Sequence, residues 1–361
     1  MPADLREARQ AGARALLAAE GLESLLVSHL PNIRYLTGFT GSAGLLLLDP
    51  DGAVLFTDFR YATQAPAEVG DAAEVEIDSA SVWERLKSRC ADRPDRTVGF
   101  EAHALTVRDA GRLKKCARRT APVGELVEGL RAVKAPEEVA AIAAAAELAS
   151  AALAEVLPTV RPGQSELLVA SRLEAALRRR GSEWHPFQTI VASGPRAALP
   201  HAHTTERGIE AGECLLIDFG AQVGGYCADL TRTVVVGGRA DARQREVYEA
   251  VLAAQWRARR EIRAGMTGRE ADALARDLLV ARGFGEAFGH SLGHGLGLEV
   301  HEAPRLSATA ESVLPVGAVV TIEPGLYLPG WGGVRLEDDV VLTAAGPREL
   351  SDGRTELVEL V

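Results

Sequence analysis

Cysteine is scarce in this chain of 361 residues. Cys90, Cys116, Cys214 and Cys227 form no CxxC pair, which argues against zinc ribbons and thioredoxin-type redox sites. They read as reduced, mostly buried thiols of a cytoplasmic protein, and no disulfide is expected between Cys214 and Cys227. Positive charge is also short. Lys and Arg number 40 against 50 Asp and Glu, a net charge of −10. A nucleic-acid binder needs a basic surface, so that class is set aside. Long apolar runs are missing, so no membrane span of about 18 residues is expected. The N-terminus, MPADLREARQ, has no apolar segment of the kind a signal peptide carries. What remains is an ordinary globular composition on a chain too long for one ordinary core, so two domains are expected.

The first of these, residues 1–132, reads as mixed α/β. Residues 4–19 are helical up to Gly21, 24–29 form a buried strand, and 45–58 form a hairpin around Asp49–Pro50–Asp51–Gly52. EVEID (74–78) and TVGFE (97–101) are further strands, and Pro122 to Glu128 is the last extended segment. Arg131 to Pro136 is the linker to the second domain, residues 133–361. There a helix runs from Pro136 to about Val156, and Ser165 caps another that ends before Gly181. Helices over 244–262 and 267–282 follow, then two strands between Val319 and Leu342. The second domain repeats itself. Gly212-x5-Asp218 matches Gly317-x5-Glu323 at an offset of 105, and RPGQS at 161 matches RAGMT at 263 at an offset of 102. Two αα–ββ units related by a pseudo-twofold axis are expected, with the chemistry where they meet.

That chemistry centres on CLLIDFGAQVGGYCADLTRT, residues 214–233. The apolar run, the Gly224–Gly225 turn signal and the β-branched run from Thr231 predict a hairpin. A turn between the glycines puts Asp218 opposite Thr231. Asp229 is then diagonal to Asp218 on the same face, at a Cβ separation of about 7–8 Å. Two carboxylates this close in apolar surroundings need a cation or a proton between them. Glu323 and Glu337 face each other if the following loop centres near Gly330, and His294 joins from the glycine-rich GHGLG. Four carboxylates and one imidazole form a hard, oxygen-rich site whose charge balances two divalent cations.

IDFG (217–220), ADLTRT (228–233), GHGLGLEVHE (293–302), TIEPG (321–325) and VRLEDD (334–339) resemble the signature segments of the pita-bread metallopeptidases. With YLTGFTGS (35–42), TDFRY (57–61) and the preceding domain, the chain resembles the Xaa-Pro peptidases, aminopeptidase P and prolidase. The resemblance implies an α/β (α+β) chain: a creatinase-like N-terminal domain before a pita-bread catalytic domain. It implies two divalent ions per subunit, manganese first and cobalt or zinc as alternatives, held by Asp218, Asp229, His294, Glu323 and Glu337. Glu323 is also the implied general base, working on a water that two such ions acidify to a pKa of about 7. His201, His290 and His301 match substrate-binding and oxyanion-stabilising histidines, while His203 reads as a supporting or solvated residue. Tyr327 and Arg335 match a carbonyl-contacting tyrosine and an arginine that orients carboxylate ligands. The N-terminal domain is implied to help form a homodimer and to roof an active site, with Asp58 to Tyr61 placed to reach a neighbouring one.

The substrate implied is a peptide with proline second. A prolyl amide has no N–H, so peptidases that grip one fail on it. Arg305, four residues after His301, matches the prolidase position that clamps a free carboxylate just past the proline. TGFTGSAG and TDFRY match the small bacterial aminopeptidases P. The expectation is therefore an Xaa-Pro aminopeptidase, with an Xaa-Pro dipeptidase as the alternative. A methionine aminopeptidase would not need the N-terminal domain, and creatinase lacks the metal ligands. A non-catalytic pita-bread binding protein would have lost ligands, and this chain has lost none.

Overall fold

The computed structural model describes residues 3–78, 81–351 and 356–361. The chain forms two compact units, Met1–Arg131 and Ala132–Val361.

In the N-terminal unit the elements are α1 (Ala3–Ala19), β1 (Ser24–Val27), α2 (Leu30–Thr37), β2 (Leu45–Asp49) and β3 (Gly52–Asp58). α3 (Gln64–Val69), β4 (Glu74–Asp78), α4 (Val82–Ala91), β5 (Thr97–Glu101), α5 (Val107–Cys116), β6 (Arg119–Val123) and α6 (Leu126–Arg131) follow. The strands form one sheet in the order β4-β3-β2-β1-β5-β6. The central strands are apolar on both faces, as a strand covered on both sides must be. On one face α4 and α5 set Leu86 and Leu113 against Leu26, Leu47 and Phe56. Two expectations need correction. The extended segment ends at Val123, and Leu126–Arg131 is helical. Helix α2 went unforeseen because Ile33, Tyr35 and Thr37 favour strands; Pro31 in its first turn and left-handed Gly38 after it are the local signals for a helix.

In the C-terminal unit the element order repeats. α7 (Pro136–Val156), α8 (Glu166–Arg180), β7 (Ile190–Ser193), β8 (Glu213–Val223) and β9 (Tyr226–Val236) make the first half. α9 (Ala242–Glu261), α10 (Gly268–Ala281), β10 (Gly293–Gly295), β11 (Glu302–Leu306) and β12 (Val319–Ile322) open the second. β13 (Gly325–Leu328), β14 (Gly332–Arg335), β15 (Asp338–Thr343), β16 (Gly346–Glu349) and β17 (Val358–Leu360) complete it. The sheets run β17-β9-β8-β7 and β11-β10-β12-β15-β16, with β13-β14 as a separate pair.

The offsets seen in sequence recur as matched hydrogen bonds. Gly163 N–H donates to Ile209 O at 2.8 Å, and Gly265 N–H to Leu314 O at 2.9 Å. Gly212 N–H donates to Val236 O, and Gly317 N–H to Leu342 O, both at 2.7 Å. All four glycines have positive φ, which is why glycine recurs at these positions. Ser165 caps α8 through Leu168 N–H, and Thr267 caps α10 through Glu270 N–H. Each cap changed to alanine should cost about 1 kcal/mol. Thr267→Ala should cost more than Ser165→Ala, because Glu270 closes a capping box there and loses its hydroxyl partner. Urea unfolding of both variants checks this.

Helix α7 qualifies one expectation. By length and composition Pro136–Thr159 is apolar enough to cross a membrane. Its alanine face instead packs in a core with Leu215, Ile217 and Leu230 of the hairpin.

Register decides where the acids fall. β8 and β9 pair Asp218 with Thr231 and Gly220 with Asp229, the predicted register. Gly224 and Gly225 both have positive φ, which suits a two-residue hairpin turn. Cys214 therefore faces Val235 and Cys227 faces Gln222, and all four cysteines are free. Between Val319 and Leu342 there are four strands rather than two. β12–β15 pairs Ile322 with Asp338, and β13–β14 continues the same register with Gly325 opposite Arg335. This is one long hairpin broken at residues 323–324 and 336–337. Pro324 explains the break, because it has no N–H for the ladder.

Candidate metal centre

Glu323 and Glu337 fall at that break. They were expected to face each other within a strand pair; they lie just outside it, and their backbones bond elsewhere. Glu323 N–H donates to Leu292 O at 2.9 Å, beside the strand that carries His294. Glu337 N–H donates to Thr231 O at 3.1 Å, on the other hairpin. The break thus hands one acid to β10 and the other to β9.

Asp218, Asp229 and Glu337 are buried, and His294 and Glu323 are partly so. One donor atom each of Asp229, His294 and Glu337 lies within 4.8 Å of the others. His294 Nε2 is 3.3 Å from Glu323 Oε1 and 3.8 Å from Asp229 Oδ2. Its Nδ1 is 3.0 Å from Gly295 O, which holds the proton there and leaves Nε2 to face the acids. Arg335 binds Asp218 Oδ2 with one nitrogen and Tyr327 Oη at 2.7 Å with another. Its Nε donates to Thr231 Oγ1 at 3.1 Å.

Burial pushes the Asp218 carboxyl up despite Arg335, and Glu323 adds to the rise. Asp229 is held well above the usual carboxylate range by burial and then by Glu337, Asp218 and Glu323. Glu337 is raised in the same way by burial, Glu323 and Asp218. Glu323 alone goes down: burial opposes this, but the hydrogen bond and charge of His294 prevail, helped by His290 and Arg335. The same contact raises His294 against the pull of burial.

The acids therefore repel one another in a space with too little positive charge. Asp218 Oδ1 and Asp229 Oδ1 are buried and have no hydrogen-bond partner among the described residues. A buried carboxylate oxygen left bare costs free energy unless a cation takes it. Oxygen-rich donors, one imidazole with its Nε2 facing them, and bare carboxylate oxygens fit divalent metal.

The other sequence-predicted residues divide. His290 sits beside Tyr327, Nε2 to Oη 2.9 Å, with Nδ1 2.8 Å from Ser291 O. Burial lowers His290 and pushes the Tyr327 phenol up to about 12. His301 is exposed, its ring edge-on to His294 at 4.3 Å. His201 is exposed too, and lies within electrostatic reach of Asp218, His290 and His301. His203 is exposed, and Arg196 binds its carbonyl oxygen. Arg305 is exposed on β11, directly opposite His294 in the β10–β11 register.

Three residues were missed. Thr231 donates to Glu337 Oε2 at 2.5 Å. Thr321 accepts from His294 N–H and donates to Glu323 Oε1, both at 3.1 Å. Asp339 accepts Asp229 N–H at 3.2 Å and is held well above its usual pKa by burial. A period of two was the available signal: 229 and 231, 321 and 323, and 337 and 339 each share a strand face.

Comparison with known proteins follows the same lines. Residues 140–344 match metallopeptidase family M24, and residues 9–133 match the creatinase/prolidase N-terminal domain. An uncharacterized peptidase of Bacillus subtilis is 42% identical over 96% of this chain and 98% of its own length. A solved Xaa-Pro dipeptidase from Bacillus anthracis aligns at a TM-score of 0.95 and 39% identity, covering 98% of this chain and 100% of that one. A solved X-Pro aminopeptidase from Thermotoga maritima aligns at 0.89 and 36%, covering 97% and 99%.

Proposed function

The chain belongs to metallopeptidase family M24, among its Xaa-Pro peptidases, and from that premise we propose that it removes a single N-terminal residue from peptides with proline second. Asp218, Asp229, His294, Glu323 and Glu337 are the residues that would hold divalent metal, two ions by the balance of charge and manganese by the oxygen-rich donor set. When bound, such ions polarise the scissile carbonyl and acidify water.

The chain's own groups do the rest. Glu323, the one of these four acids whose pKa is lowered, is ionised and accepts a proton from water as general base. Thr321 fixes its Oε1. Returned from Glu323, that proton serves the leaving proline nitrogen. Arg335 holds Asp218 and Tyr327 together, so the phenol is aimed by a fixed cation. His290 is half-buried and neutral beside it, and His201 and His301 line the exposed side, where substrate enters. Burial of the acids keeps the local dielectric low, which strengthens each of these contacts.

The exposure of Arg305 carries the choice of aminopeptidase. It stands at the open edge of its sheet, which leaves room for a chain to continue past the proline. The same residue favours the second reading, a dipeptidase, because its register with His294 puts a guanidinium beside the site. Hydrolysis of Ala-Pro and Ala-Pro-Ala-Ala, on metal-stripped protein reloaded with manganese, separates them. Equal or better cleavage of the tetrapeptide, unchanged in Arg305→Ala, is expected. Cleavage of the dipeptide alone, lost in Arg305→Ala, would establish the dipeptidase.

We assign residues 1–132 to a creatinase-like domain and 133–361 to the catalytic one. A homodimer is part of the proposal, supported by Phe59, which is 68% exposed beside Arg60. A cytoplasmic setting is supported by four free thiols. Sedimentation velocity tests the dimer.

A further inference from the structure

Glu337 belongs to the second repeat but takes its position from the first. Its N–H donates to Thr231 O, its Oε2 accepts the Thr231 hydroxyl at 2.5 Å, and its carbonyl accepts Arg232 Nη1 at 2.6 Å. Backbone donor, backbone acceptor and side chain are all held by two consecutive residues of β9. The same Arg232 nitrogen also binds Thr231 O at 3.0 Å, and Nη2 binds Asp338 Oδ1 at 2.8 Å. Asp338 is fully buried and is braced from behind. Ser351 donates to Oδ1 at 2.6 Å, and Gln255 and Arg259 donate to Oδ2 at 2.8 and 3.0 Å.

A buried ion pair is not in itself a gain in stability, since desolvation offsets much of the attraction. This one lies behind the candidate metal centre. Residues 232 and 338 point to the face opposite 231 and 337, so the arginine touches no candidate metal donor atom. It grips the backbone of one. We propose that Arg232, braced by Asp338, is a positioning residue that sets Glu337 against Asp229 and His294 and thereby fixes the metal affinity of the site. The proposal rests on the reading of Glu337 as a metal ligand. Arg suits the task because its planar fork reaches two carbonyls and a carboxylate at once, which an ammonium cannot.

The test is manganese titration of the metal-stripped full chain in competition with a chromophoric chelator, with thermal unfolding of the metal-free protein in parallel. Arg232→Gln should weaken manganese binding by roughly 10- to 100-fold. Arg232→Lys should recover part of that. Arg259→Gln removes an equally buried arginine from the far side of Asp338. It should lower the unfolding temperature and leave the affinity unchanged. Lower stability with unchanged affinity in Arg232→Gln would overturn the proposal and reduce the pair to a structural one. If that variant does not fold, Arg232→Lys decides in the same two ways. Glu337→Gln separates the premise: unchanged affinity there sinks the ligand reading itself. Weakened affinity there, with unchanged affinity in the Arg232 variants, sinks the positioning proposal alone.

Discussion

Asp229→Asn should leave a folded protein whose metal-free form is at least as stable as the parent and whose hydrolysis of Xaa-Pro peptides is on the order of 10³-fold slower. The two halves of that result have one cause. Asp229 is buried among Glu337, Asp218 and Glu323, which hold its pKa well above the usual range. Without metal its charge is a cost, and an isosteric amide removes it while filling the same space. With metal the same charge is the reason for binding. Its Oδ1 is bare, and its other oxygen lies 3.8 Å from His294 Nε2. Losing a divalent ion forfeits several kcal/mol of charge stabilisation, and each 1.4 kcal/mol or so is tenfold in rate. Steady-state kinetics, bound-metal analysis and thermal unfolding of the metal-free protein check all of this. Activity within tenfold of the parent would sink the metal reading. A large loss of metal-free stability would show instead that Asp229 has a structural partner.

How much of this was legible beforehand follows from the range over which each signal acts. The β8–β9 register came from two glycines and an alternating pattern, all within twenty-odd residues, so Asp218, Thr231 and Asp229 fell where expected. The helix caps at Ser165 and Thr267 are equally local. The repeat was visible because it is itself a sequence pattern, and its glycines proved to hold equivalent turns. Long-range pairing left weaker traces. Nothing near Glu337 in sequence says that Thr231 and Arg232, more than a hundred residues earlier, will hold its backbone. The break at Pro324 was readable as a missing ladder donor, but which acid it would pass to which strand was not. Asp338 and Asp339 stand next to each other in VRLEDD. Strand alternation sends one to the arginines behind the site and the other to Asp229 N–H. Arg305 shows the limit on function: its register is fixed, yet an exposed guanidinium beside the site suits either a clamp or a bystander.

Removing the metal should make the protein less stable as pH rises, because of the signs of the individual shifts. Asp218, Asp229 and Glu337 have raised values in the fold. The stability each contributes is full below the ordinary carboxylate pKa of about 4 and is lost as pH rises through its folded value. His294, raised by Glu323, acts in the same direction above its ordinary value of about 6.5. Glu323, lowered, acts the other way, but its contribution is complete above its ordinary pKa and lost only in acid. Metal-free protein should therefore lose stability as pH rises above the ordinary carboxylate value of about 4. Metal can bind only as these groups give up their protons, so its affinity grows over the same interval. At a thousandfold excess over the dissociation constant, one bound ion adds about 4 kcal/mol. The gap in unfolding temperature between manganese-loaded and chelator-treated protein should thus widen steadily as pH rises. Taking the difference cancels every titrating group remote from the site. A gap that stays constant with pH would mean that protons and metal do not compete for these carboxylates, and the centre would have to lie elsewhere.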